Sequence, residues 1–203
     1  LAIVTHLDTD HYDGIRSLAA DGMVKTLGLY AGNKLLESTI AEQTGLPPDR
    51  LQYFHQGDRI RVDSDVWLEF LYPAEKSRQV YETEIQAKVE NPRSLVVRVH
   101  VGGYTILMTG DMDVATEEDV IASLADGDVR ADILKICHHG SKYSSSDGFL
   151  QAVDPTIAVF QVGKNNYGHP NRTILEKCRE KGIMIYRNDQ NGAIGFFGLY
   201  ESA

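Results

Sequence analysis

Near the N-terminal end, the segment Thr5-His6-Leu7-Asp8-Thr9-Asp10-His11 places His6, Asp8, Asp10 and His11 within six residues. Two imidazoles and two carboxylates together suit zinc, manganese or iron. A tight loop can aim two such donors at one ion and two at its neighbour. The competing explanation is a helix N-terminus, where Asp10 or Asp13 would sit well against the helix dipole. Three further clusters weigh against that explanation alone: Thr109-Gly110-Asp111, His138-His139-Gly140-Ser141 and Asn165-Asn166-Tyr167-Gly168-His169-Pro170. Five of the seven histidines (6, 11, 138, 139 and 169) lie in these four segments, a distribution that packing does not explain.

Each residue type suggests a role. Asp111 reads as a carboxylate bridging two metals. Of the histidine pair, His138 lies nearer the strand end and is the preferred ligand, with His139 packing or touching substrate. His169, between Gly168 and Pro170, belongs to a rigid loop, where it binds substrate phosphate or protonates a leaving oxygen. Asp10 and Asp111 are expected to orient an attacking water. Lys142, Lys164 and Asn165 are candidates to neutralise phosphate charge. Ser141 is a candidate substrate contact, while Ser144, Ser145 and Ser146 read as loop and helix-cap residues rather than nucleophiles. His55 and His100 lack such neighbours and read as structural or exposed. Cys137 reads as buried behind the site. No G-x-S-x-G elbow, P-loop or G-x-G-x-x-G fingerprint occurs, so the supply of His and Asp points to metal-assisted hydrolysis.

Each cluster follows a predicted strand: Leu1 to Val4, Tyr104 to Met108, Asp132 to Cys137 and Thr156 to Val162. Ends of strands that run one way gather on one sheet edge, where loops build sites. Helices are predicted at Ile15–Ala20, Lys34–Thr44 with Gly45 as the stop, Thr116–Leu124, Ser146–Val153 and Ile174–Lys181 with Gly182 as cap. Further strands are expected around Ile60, from Val66 to Leu71 and from Leu95 to Val101, the last turning through Gly102-Gly103. Residues 74–92 read as a polar surface loop with room for a helical piece. A terminal hairpin is expected from Met184–Arg187 through Asn188–Gly192 into Ile194–Leu199. The alternation implies one α/β domain over residues 1–203.

Composition sets outer limits. The 203 residues carry 20 Lys+Arg against 29 Asp+Glu, a net charge of −9. Passive nucleic-acid binding through a basic surface is thereby disfavoured, but cation-holding enzymes are not, because the metal is absent from that sum. No stretch approaches the roughly 18 apolar residues of a membrane span. Two cysteines, Cys137 and Cys178, make no disulfide framework.

At these residues the sequence resembles the metallo-β-lactamase superfamily, where the usual metal loop has His in place of Asp8. The Asp variant looks like that of the ComEC competence proteins of DNA uptake. NPRSLVVRV, ILMTGDM, ADILKICHHGSKYSSS, VGKNNYGHPN and RNDQNGAIGF follow in the family's order. The resemblance implies an αββα sandwich with two divalent ions, zinc or manganese, at the sheet edge. It implies phosphodiester hydrolysis, as a nuclease on the DNA strand that is not imported. His6 and Asp8 would then hold one metal, Asp10 and His11 the other, with Asp111 bridging and His138 or His139 completing a shell. The histidine that many members place between the first loop and the Gly-Asp has no match here. Members have several strands before the metal loop, so the domain is expected to lack its opening strands. The family's membrane channel is likewise missing, which implies a soluble domain of a cell-membrane protein or a stand-alone relative. Hydrolysis of another ester (a lactone, a small phosphodiester or a β-lactam) and a metal-poor binding module are the alternative readings.

Overall fold

A computed structural model describes residues 1–88 and 90–196. The chain forms β1 (Ala2–Ile3), α1 (Thr9–Ala20), β2 (Leu27–Tyr30), α2 (Glu37–Thr44), β3 (Leu51–Phe54), β4 (Arg59–Arg61), β5 (Val66–Tyr72) and α3 (Arg78–Gln86). Then follow β6 (Val96–Val101), β7 (Tyr104–Met108), α4 (Val114–Ser123), β8 (Ile133–Lys135), α5 (Asp147–Val153), β9 (Ile157–Phe160), α6 (Arg172–Glu180) and β10 (Met184–Arg187). Strands β1-β2-β3 make a small parallel sheet, and β10-β9-β8-β7-β6-β5-β4 a seven-stranded one. In the larger sheet β7 to β10 are parallel, whereas β4 to β7 are joined antiparallel.

Side-chain alternation stacks these sheets into a sandwich. Leu27, Leu29 and Leu51 of the small sheet pack with Tyr12, Ala19 and Ile40 of α1 and α2. Its opposite face sends Ile3, Tyr30 and Phe54 into the main core with Phe70 and Leu107. Phe54 and Phe70 stack across the gap with ring centroids 4.2 Å apart. Val120, Phe149, Leu150 and Ile174 of α4, α5 and α6 pack into that same core. Helices on one sheet, two facing sheets and helices on the other make the αββα architecture. Both cysteines are buried and unpaired, Cys137 behind the site. Among the described residues no helix is long and apolar enough to cross a membrane.

Several elements differ from the sequence expectation. Helix α1 starts at Thr9, not Ile15, because Asp8 is extended and its carbonyl accepts from the N–H groups of His11 and Tyr12. The segment 34–44 splits into a tight 3-10 stretch and α2, which Gly45 ends in a left-handed conformation. Helix α3 fills part of residues 74–92, with Ser77 accepting from the Val80 N–H at its start. Strands β2 and β3 are too short to display an alternation and were not expected. Where the terminal hairpin was expected to turn, Asn188–Asn191 form a helical turn, and β10 pairs parallel with β9. Residues 194–196 form no strand, and 197–199 lie outside the described residues.

Candidate metal centre

Parallel β7, β8 and β9 are neighbours, so the loops leaving them share one edge. The loop leaving β1 in the small sheet is tied to this edge, because the Thr5 carbonyl accepts from the Leu95 N–H. Asp10 and His11 occupy the first turn of α1, so the helix N-terminus and the ligand-rich loop are one feature. Gly110 turns the chain with a positive φ, and a Cβ there would lie 2.7 Å from Ser94. His138 (φ 46°, ψ 48°) and His139 (φ 52°, ψ 18°) are both left-handed. That conformation costs a residue with a Cβ about 1–3 kcal/mol. Hydrogen bonds hold it: His138 N–H to the Gly110 carbonyl at 3.2 Å, and Ser141 N–H to the His138 carbonyl at 2.8 Å.

The result gathers four side chains. His11 Nε2 lies 3.1 Å from His139 Nε2 and 3.2 Å from Asp111 Oδ1. His139 Nε2 is 3.3 Å from Asp10 Oδ2 and 3.4 Å from Asp111 Oδ2. Asp10 Oδ2 and His11 Nε2 are 3.9 Å apart. Donor atoms about 2.1 Å from a tetrahedral ion lie about 3.4 Å from one another, so these separations fit a ligand shell. Two imidazole nitrogens at 3.1 Å need a proton or a cation between them. His139 Nδ1 donates to the Gln161 carbonyl, which turns Nε2 toward the cluster. Hydrogen bonding to Asp111 raises the His139 pKa against the effect of burial, so a proton and an ion compete for one nitrogen. Burial alone would raise the Asp111 carboxyl, but hydrogen bonds from His11 and His139 and the charge of Lys135 hold it far below the usual range.

His6 and Asp8 stand beside this group, His6 Nε2 lying 3.7 Å from Asp8 Oδ2. The His6 ring is wholly buried, 4.1 Å from the His11 ring, and its Nε2 has no hydrogen-bond partner among the described residues. Burial, then the neighbouring His11, lowers its pKa to about 3, so the ring stays neutral and offers one nitrogen lone pair. An orphaned buried nitrogen beside a carboxylate is the environment of a ligand. Burial, then Asp10 and Asp111, raises the Asp8 carboxyl. His138, the histidine preferred from the sequence, holds Nε2 3.7 Å from Asp111 Oδ2 while its Nδ1 meets the Asn91 amide at 3.1 Å. The four-donor group therefore contains His139, with His138 one step outside it.

The remaining candidates divide by exposure. His169 lies with its ring 5.5 Å from that of His138, and burial, then His138, lowers its pKa. Lys142 and Lys164 are exposed, and Lys164 lines the groove that contains Asp10 and His139. Asn165 is engaged on all four sides of its amide: Nδ2 donates to the Gly163 and His169 carbonyls, and Oδ1 accepts from the Tyr167 and His169 N–H groups. It shapes the loop and has no capacity left for phosphate. Ser141 is buried, and its hydroxyl accepts from the Tyr143 N–H. Ser146 caps α5 by accepting from the Phe149 N–H. His100 stacks on Trp67 at 3.6 Å and His55 lies by Asp58, neither within the donor group.

Sequence reasoning passed over the residues that hold the donors. Lys135, buried in β8, donates to the Gly110 carbonyl at 2.7 Å and reaches Asp111 Oδ1 at 3.3 Å. Its signal was a lysine inside the apolar run Ile133–Cys137. The Ser94 hydroxyl accepts from the Asp111 N–H at 3.0 Å. Buried Glu117 of α4 accepts from the Ser145 and Ser146 N–H groups and so anchors the loop that follows His139.

With this geometry in place, two comparisons decide the family. Over 96% of its length the chain is 31% identical to ComE operon protein 3 of Bacillus subtilis (strain 168) and 32% identical to competence protein ComA of Neisseria gonorrhoeae. The chain belongs to the ComEC family. It spans about a quarter (24%) of the length of these curated relatives. No family model matches it. Its fold is that of metallo-β-lactamase-like proteins. An isothiocyanate hydrolase from Delia radicum gut bacteria aligns at TM-score 0.53 and 14% identity, over 91% of this chain and 72% of that one. Zn(2+)-bound PqqB from Methylobacterium extorquens aligns at TM-score 0.50 and 12% identity, over 92% and 70%. These likenesses concern the fold alone.

Proposed function

We propose that this ComEC-family domain is a metal-dependent phosphodiester hydrolase that acts as a nuclease on the DNA strand discarded during uptake. The observation that carries the reading is the convergence of Asp10, His11, Asp111 and His139 at a sheet edge where Lys164 lines the same groove. These four would hold one divalent ion. His6 and Asp8 offer two donors for a second, with Asp111 shared. The all-nitrogen and oxygen donor set, with Cys137 buried and unpaired, suits zinc or manganese. A divalent ion supplies Lewis acidity toward a phosphoryl oxygen and acidifies water toward neutral pH.

The chain's own residues supply the rest. Asp10, exposed at the first turn of α1, would with Asp111 orient the attacking water. Lys142 and Lys164 draw the phosphate to the rim. His169, held by its backbone through Asn165, would protonate or stabilise a leaving oxygen. Lys135 and the Ser94 hydroxyl keep Asp111 turned toward the histidines. In the longer polypeptide the domain would serve a membrane channel that carries the other strand.

Divalent-dependent cleavage of single-stranded DNA tests the reading. Asp10→Ala should lower the rate by about a hundredfold or more, and equal rates would sink the role of Asp10. Hydrolysis of a generic phosphodiester reporter without any cleavage of DNA would instead favour a different ester as substrate.

A further inference from the structure

We infer that Tyr143 and Tyr167 form a base-stacking platform that makes unpaired DNA the preferred ligand of this edge. The inference deepens the phosphodiesterase reading above and rests on it. Tyr167 is 85% exposed and Tyr143 67% exposed, the largest and third-largest exposures among the large apolar side chains of the described residues, with Met23 between them. Rings left in water contribute nothing to the core, yet both are carried on clamped backbone. The Asn165 amide closes the loop around Tyr167 with four hydrogen bonds. The Tyr143 N–H donates to the Ser141 hydroxyl, and its carbonyl accepts from the Val114 N–H. Tyr167 stacks on the His169 ring at 6.0 Å and leaves its other face to solvent, and a ring carried on a fixed loop has already met much of the ordering cost of a contact.

Both tyrosines lie in the segments that follow the adjacent parallel strands β8 and β9, whose ends share one edge. Tyr167, Lys164 and His169 line a groove of about 320 Å³ that also includes Asp10 and His139, so its floor is the candidate centre. Each tyrosine has a lysine nearby in sequence, and Lys142 Nζ lies 4.8 Å from the Tyr143 ring centroid. The acidic chain has little basic surface with which to hold a polyanion, so affinity needs another source. Stacking supplies it, because every unpaired base offers a π-face whatever its sequence. A duplex hides those faces within its own stack and presents only phosphates to the tyrosines.

The test is anisotropy of a fluorescein-labelled, hydrolysis-resistant phosphorothioate oligothymidylate with manganese present, set against a blunt duplex of equal length. The single strand should bind about tenfold more tightly than the duplex. Tyr143→Ala and Tyr167→Ala should each weaken it about tenfold, and Tyr167→Phe should keep wild-type affinity. Equal affinity for the two DNA forms, no binding of the single strand, or alanine variants that bind like wild type would overturn the platform. Hydrolysis of bis(p-nitrophenyl) phosphate is followed in parallel. Its absence defeats the phosphodiesterase reading whatever the anisotropy shows, and its presence with unselective binding defeats the platform alone.

Discussion

Lys135 sits in β8 with its ammonium against the Gly110 carbonyl and Asp111 Oδ1, both ends of the ion pair being buried. Asp111 is thereby neutralised from below while the histidines and the other carboxylates approach from above. Lys135→Met keeps the stem and removes the charge. A buried carboxylate deprived of its partner is costly, so the metal-free variant should lose about 3 kcal/mol in urea unfolding. Saturating divalent ion should recover much of that loss by returning a positive charge to Asp111. An unchanged midpoint in the metal-free protein would show that the pair contributes nothing. The donors themselves were legible, because His and Asp at such spacing have few structural uses. Lys135 was not, since one lysine in a strand carries no pattern. That His139 rather than His138 joins the four-donor group was also hidden, because two consecutive left-handed residues other than glycine leave no mark in the sequence.

Strand pairing adds a pH dependence remote from the donor group. Glu69 on β5 faces Arg59 of β4 and Arg98 of β6, with contacts of 2.8 Å to each, and His100 at 3.6 Å. Burial would raise its pKa, but hydrogen bonds and charge from Arg98 and Arg59 lower it below the ordinary 4.5. A carboxylate depressed in the folded state stabilises it above the unfolded pKa, and that stability is lost as pH falls through the folded value. Glu69→Gln should therefore cost on the order of 1 kcal/mol at neutral pH. Below about pH 4.5 the gap to wild type should close. His100, whose pKa is lowered chiefly by burial, gains its proton in acid and repels the two arginines in both proteins. Urea midpoints measured from neutral pH into acid check this, and a constant gap would refute it. The β6–β7 hairpin was legible because Gly102-Gly103 marks its turn between alternating runs. Strands β2 and β3 were not: each has four residues, and those of β2 are buried on both faces, so no period shows.

At the scale of the molecule, the candidate ligands come from both halves of the sandwich. Asp10 and His11 follow β1 of the small sheet, whereas Asp111 and His139 follow β7 and β8 of the large one. An ion held among them would tie the two sheets together, and unfolding would have to release it. The chain carries a net charge of −9, with Asp8, Asp10 and Asp111 drawn close together, so each bound divalent ion also relieves repulsion. Linkage then predicts the size of the effect: an ion at a hundred times its dissociation constant stabilises the fold by about 2.7 kcal/mol. For a domain of this length that corresponds to a rise in melting temperature of roughly 5–10 °C. Melting of chelator-treated protein with and without manganese or zinc measures it. His139→Ala removes a donor contributed by the large sheet and should abolish most of the shift. Asp8→Ala, which leaves the four-donor group whole, should retain the larger part. If His139→Ala shifted as far as wild type, the ion would be binding elsewhere, and the two sheets would owe their registry to Phe54, Phe70 and the rest of the core alone.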